Sequence, residues 1–120
     1  MHDYRPEGVP DTSYVRLYQI LGVFSSDQAA MAAFQERDAI YTANPQLFQV
    51  QELQSYQSSA DYFQYVCEDR DVGGELKVCE ILQVHANRLS HINVGIDGQD
   101  ITREQVEQII ERVDTRLSAD

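Results

Sequence analysis

Cys67, Cys79, His85 and His91 fall close together in the second half of the chain, interleaved with Asp69, Asp71 and Glu80. Residue types of this kind support thiol redox chemistry, metal binding or acid–base catalysis, and their spacing separates these options. A finger-type zinc site needs a close cysteine pair, and Cys67 and Cys79 do not supply one. A calcium loop fits better. With Asp69 at its first position, Asp71 takes the third, Gly74 the sixth, Leu76 the eighth and Glu80 the twelfth. It departs from the pattern at Gly73 and Lys77, which place no side-chain oxygen and a cation where the motif wants ligands. No metal site is assigned, and the calcium segment 69–80 is kept as an alternative, ion-responsive reading. A third reading is a small enzyme with His85 or His91 as general base. Ser90 and His91 are adjacent, and adjacent side chains on a strand point to opposite faces. The sequence holds neither a Gly-x-Ser-x-Gly elbow nor a phosphate-binding P-loop. No catalytic residue and no cofactor are expected.

The elements that position these residues can be read from pattern. "YFQYVCED" (62–69) and "LKVCEILQV" (76–84) are β-prone runs around "RDVGGE". A turn at Val72-Gly73-Gly74 gives a hairpin whose opposing residue numbers sum to 146. Asp69 then faces Lys77, Cys67 faces Cys79, and Tyr65 faces Ile81. The sequence opens on no basic-then-apolar leader, so a reducing cytoplasm and free, inward-facing thiols are expected.

Residues 1–13 read as a flexible N-terminal arm and 14–120 as one domain. "YVRLYQILGVF" (14–24) reads as a strand. A helix follows to about Ala43, capped by Ser25 with Gln28, and Asn44-Pro45 stops it. This "ILGVFSSDQAAMAAF" opening resembles the strand-to-helix openings of many small bacterial α/β proteins and carries no functional motif. "LFQVQEL" (47–53) alternates as a strand does, so the first half reads as a β–α–β unit. The segment 85–91 turns the chain, "INVGI" (92–96) is a short strand, and Asp97-Gly98 is a turn. In the last element Thr102 is the N-cap, Gln105 completes a capping box, and Ile101 and Val106 form a hydrophobic staple. Glu104, Glu107, Glu111 and Asp114 share one arc of this helix, which predicts an acidic, solvated edge. The order β-α-β-β-β-β-α predicts an α+β fold: one mostly antiparallel sheet of about five strands with two helices packed on it.

The charge balance narrows function. Twenty acids against nine bases leave a net charge of −11. Such a chain is a poor ligand for nucleic-acid phosphates and for anionic membranes. The expected function is binding, without catalysis, to a protein partner with a basic surface, as inhibitors, immunity proteins and anti-defence proteins do. Its contact residues are expected at the hairpin tip (Glu68, Asp69, Asp71, Glu75) and along the last helix (Glu104, Glu107, Glu111). An open strand edge at 47–53 or 92–96 is a further route to a homodimer.

Overall fold

The computed structural model describes residues 2–4, 17–70, 76–96 and 101–118. Its centre is a single antiparallel sheet built from β1 (His2–Tyr4), β2 (Leu17–Val23), β3 (Gln49–Val50), β4 (Tyr62–Arg70), β5 (Leu76–His85) and β6 (Arg88–Ile96). The strands lie in the order β1-β2-β6-β5-β4-β3. Helix α1 (Asp27–Ala43) follows β2, and helix α2 (Arg103–Leu117) closes the chain. This is the expected α+β architecture, with one addition: His2–Tyr4 of the N-terminal arm pairs antiparallel with β2 as an edge strand.

The two helices cover opposite faces of the sheet. Odd-numbered positions of β4 and β5 (Tyr65, Cys67, Cys79, Ile81) and the matching Ile92, Val94 and Ile96 of β6 pack with Val106 and Ile110 of α2. Even-numbered positions (Val66, Leu82, Val84) pack with Ala30, Phe34 and Tyr41 of α1. β5 therefore has no wet side, and every residue from 79 to 85 is buried. That explains why "VCEILQV" is nearly continuous in apolar residues instead of alternating. Each large aliphatic side chain so buried stabilises the fold by about 1.5–3 kcal/mol.

The hairpin register is the expected one, with Asp69 opposite Lys77, Cys67 opposite Cys79 and Tyr65 opposite Ile81. The turn residues 71–75 and the Asp97-Gly98 turn lie outside the described residues. One expectation about the thiols is corrected: Cys67 and Cys79 form a disulfide. Their facing positions put the Cα atoms 4.0 Å apart, so no backbone movement is needed to join them.

Other expectations shift at element ends. The α1 cap is Ser26, whose hydroxyl accepts from the Ala29 amide at 3.1 Å, and not Ser25. The α2 capping box stands as read, with Thr102 accepting from the Gln105 amide and Gln105 accepting from the Thr102 amide. β6 begins at Arg88, so 88–91 is strand where a turn was expected. Arg88, Ser90 and His91 fit this strand because each has a partner: the Ser90 hydroxyl, fully buried, accepts from Gln19 Nε2 at 2.9 Å, Arg88 donates to the Leu117 carbonyl, and His91 meets Glu80. The turn narrows to Ala86 and Asn87, with Ala86 at a φ of 54° and its amide bound to Asp61 Oδ2. β6 lies between β2 and β5, so 92–96 is not an open edge. β2 and β3 run in the same direction, but three strands separate them, and α1 carries the chain across one face.

Reduction of the Cys67–Cys79 bond is expected to lower unfolding free energy by about 3 kcal/mol, the entropy of closing a loop of this length. Chemical denaturation with and without a dithiol reductant measures this. An unchanged midpoint contradicts a stabilising bond.

Candidate functional site

The largest surprise lies on α2. Glu107 and Asp114 are buried, against the expectation of a solvated acidic edge. At 100° per residue the four acids span an arc in which Glu104 and Glu111 form one end and Glu107 and Asp114 the other. The exposed–buried boundary falls between the two pairs. The segment after β3 runs along the buried end and is held there by a succession of bonds. Arg103 donates to Gln51 Oε1. Glu107 accepts from the Gln54 and Ser55 amides, each at 2.9 Å, and from the Ser55 hydroxyl at 3.1 Å. Asp114 Oδ2 accepts from the Tyr56 hydroxyl at 2.7 Å, the Ser58 hydroxyl at 2.7 Å and the Ser59 amide at 3.2 Å. Asp114 Oδ1 accepts from Gln83 Nε2 at 2.9 Å and lies 2.7 Å from His85 Nε2.

This arrangement also explains β3. The sequence pattern predicts a strand over 47–53, yet only Gln49 and Val50 pair as strand with β4. Beyond Gln51 the chain leaves the sheet edge, and the amides of Gln54, Ser55 and Ser59 bond to α2 carboxylates. A charge-assisted bond to a carboxylate is roughly twice as strong as one to a neutral carbonyl, so the helix outcompetes the sheet edge.

A second polar network lies on the α1 face. Glu80 Oε1 accepts from Arg37 Nη2 at 2.9 Å and from the Tyr41 hydroxyl at 2.8 Å, and lies 2.8 Å from His91 Nε2. Arg37 Nε also donates to the Tyr41 oxygen at 3.1 Å. Burial alone raises the Glu80 pKa, but bonds from His91, Arg37 and Tyr41 outweigh it and hold the carboxyl at about 2. Burial also pushes the Tyr41 hydroxyl upward. On the other face, burial raises Asp114 and Glu107, and their donors again reverse the direction, so both carboxyls titrate below their ordinary range.

These two networks bring together His85 with Asp114 and His91 with Glu80, on opposite sides of the sheet. The histidines therefore cannot share one cleft. Ser58, Asp114 and His85 have the composition of a hydrolytic triad but not its order. Catalysis needs the imidazole between hydroxyl and carboxylate, and here the carboxylate sits between the other two. The calcium-loop reading needs helices on both flanks and a free Glu80. The flanks are strands, and Glu80 is committed to Arg37, Tyr41 and His91. Among the described residues no group of three or more His, Cys, Asp or Glu side chains is placed to hold a metal ion.

Of the expected contact residues, Glu104 and Glu111 are exposed, Glu107 is interior, and Glu68 is half-buried. Asp69 is paired through its backbone with Lys77, and Asp71 and Glu75 lie outside the described residues. Sequence reasoning gave no weight to Asp27, Glu36, Glu52 and Asp61, which are also exposed. Asp27 and Asp61 line an open depression of about 420 Å³ with Gln28, Met31, Tyr62 and Ala86. Exposed apolar side chains cluster in sequence around the α1–β3 connection: Ile40, Leu47 and Val50. No protein family, curated protein or solved structure matches this chain.

Two outcomes follow for the networks. Replacing Asp114 by Ala strands the Tyr56, Ser58, Gln83 and His85 donors and is expected to cost about 3–5 kcal/mol in denaturant unfolding, whereas Glu111→Ala stays within about 0.5 kcal/mol. Equal effects of the two contradict the interior role of Asp114. Glu80, with a folded pKa near 2 against an ordinary 4.5, contributes stability that is full above pH 4.5 and lost as pH falls towards 2. That contribution is on the order of 3 kcal/mol. Glu80→Gln is expected to flatten the stability–pH curve across this window, and an unaltered slope contradicts the assignment.

Proposed function

We propose that this protein acts by binding another protein, one with a basic surface, and does no chemistry of its own. One observation carries the reading. The histidines and the interior carboxylates, the groups most suited to catalysis, are occupied by partners within the chain. Asp27, Glu36, Glu52, Asp61, Glu104 and Glu111 remain on the outside of a chain carrying a net charge of −11. A net excess of carboxylate raises the rate of encounter with a cationic protein and repels phosphates and anionic lipids. Glu107 drops out of the contact set, and the hairpin tip stays in it through Glu68, Asp69, Asp71 and Glu75. An inhibitor, immunity or anti-defence role uses this logic. Among the described residues no helix is long and apolar enough to cross a membrane. The Cys67–Cys79 disulfide favours an oxidising compartment over the reducing cytoplasm expected from the sequence.

The test is kinetic. A partner captured from the native host and purified is expected to associate with a rate constant that drops about tenfold or more between low and physiological salt. Glu104→Lys with Glu111→Lys is expected to slow association and leave stability unchanged. An association rate indifferent to both salt and charge reversal sinks the proposal.

A further inference from the structure

Among the described residues no strand pairs with the outer edge of β3, and that edge offers more than its two-residue length suggests. In an antiparallel ladder, residues alternate between bonding to the neighbour and pointing away from it. Gln51 donates its amide to Tyr65 O at 2.8 Å, which makes Gln51 and Tyr65 a hydrogen-bonded pair. Val50 stands opposite Val66, one step along, so its own N–H and C=O point away from β4 to the free edge. Its side chain is 68% exposed. Val66 packs under α1, which places Val50 on that same face, beside the α1–β3 connection. Two further exposed apolar side chains belong to that connection, Leu47 at 54% and Ile40 at 46%. The connection is fixed: Asn44 O accepts from the Leu47 and Phe48 amides at 3.0 Å, and the Tyr41 and Phe48 rings pack at a tilt with centroids 5.0 Å apart. Carboxylates flank the exposed apolar side chains: Glu36 one helical turn before Ile40, and Glu52 two residues beyond Val50, both exposed.

We propose that this edge takes up an extended segment of another protein, one that carries β-branched apolar residues at alternate positions and a basic residue at each end of that same face. The segment adds as a strand beside β3, in the mode of β-augmentation. Its backbone pairs with the outward N–H and C=O of Val50. Its apolar side chains cover Val50, Leu47 and Ile40, and its basic side chains meet Glu36 and Glu52. Charge decides against a second copy of this chain as occupant, because two such edges bring Glu36 and Glu52 of both molecules together on chains that each carry −11. The proposal rests on the binding reading above and adds its place and partner chemistry.

The probe is the peptide acetyl-Lys-Thr-Val-Thr-Val-Thr-Lys-amide, whose two Val and two terminal Lys share one strand face, titrated into the isotopically labelled full chain and followed by amide chemical shifts. Shifts are expected at residues 47–52 and at Ile40, with slowed hydrogen exchange at the Val50 amide. A peptide with Pro in place of both Val residues keeps the charge, lacks strand geometry, and is expected to produce no slowing. Val50→Pro removes only an N–H that points away from the sheet, so the fold survives while affinity falls about tenfold or more. Should that variant unfold, Val50→Lys keeps the backbone and repels the peptide, with the same expected loss. Shifts spread evenly over Asp27, Asp61, Glu104 and Glu111 overturn the proposal, as does equal binding by the Pro-containing peptide. Self-association of the free chain that Val50→Pro abolishes assigns the edge to a second copy and overturns it too. A salt-steered natural partner indifferent to Val50→Pro overturns the edge and leaves the binding reading standing. Edge binding of the peptide with no salt dependence of natural association does the reverse.

Discussion

Two carboxylates on one helix, Glu107 and Asp114, organise the α2 side of this protein. They accept the amides of Gln54, Ser55 and Ser59 and the hydroxyls of Ser55, Tyr56 and Ser58. A loop whose backbone would otherwise depend on water is thereby stitched along α2. Asp114 also reaches Gln83 and His85, buried on β5, and so ties loop, helix and sheet at one point. The same capture ends β3 after two residues and leaves its outer edge beside the α1–β3 connection. Burying an anion in this way is tolerable only because each carboxylate finds several donors.

Placing a helix on each face makes the centre of the sheet inaccessible. Polar groups on β5 and β6 must then be satisfied internally. Glu80 and His91 find partners under α1, and the Gln83 side-chain nitrogen and His85 under α2, while Gln83 Oε1 stays buried without a partner. What resembles catalytic equipment in the sequence becomes, in the fold, a set of closed polar contacts. The proposed binding role draws instead on surface charge, exposed apolar side chains and a strand edge that no described residue pairs with.

Much of the architecture was legible. The α2 boundaries follow from Thr102, Gln105 and the Ile101–Val106 staple, because capping is local chemistry that neighbouring layers do not override. The Cys67–Cys79 register followed from turn length and matched partners. Their oxidation state did not, since compartment was inferred from the chain's opening and facing positions were given less weight. The burial of Glu107 and Asp114 was hidden because a helical arc shows which acids lie together but not which loop covers part of the arc. The signal available was the donor-rich "SYQSSAD" (55–61), unusual for a segment with no partner of its own. The start of β6 was hidden for a related reason. Ser90 and His91 look like turn residues until Gln19 and Glu80 supply their partners from distant positions.

Amide hydrogen exchange at Gln54, Ser55 and Ser59, followed against pH, tests the account at its centre. These amides bond to side-chain carboxylates of α2 and to no strand. After correction for the intrinsic pH dependence of exchange, strong protection is expected near neutral pH, with collapse at all three as acid protonates Glu107 and Asp114. Exchange at the free-chain rate near neutrality, or protection that persists in Glu107→Ala and Asp114→Ala, would contradict it.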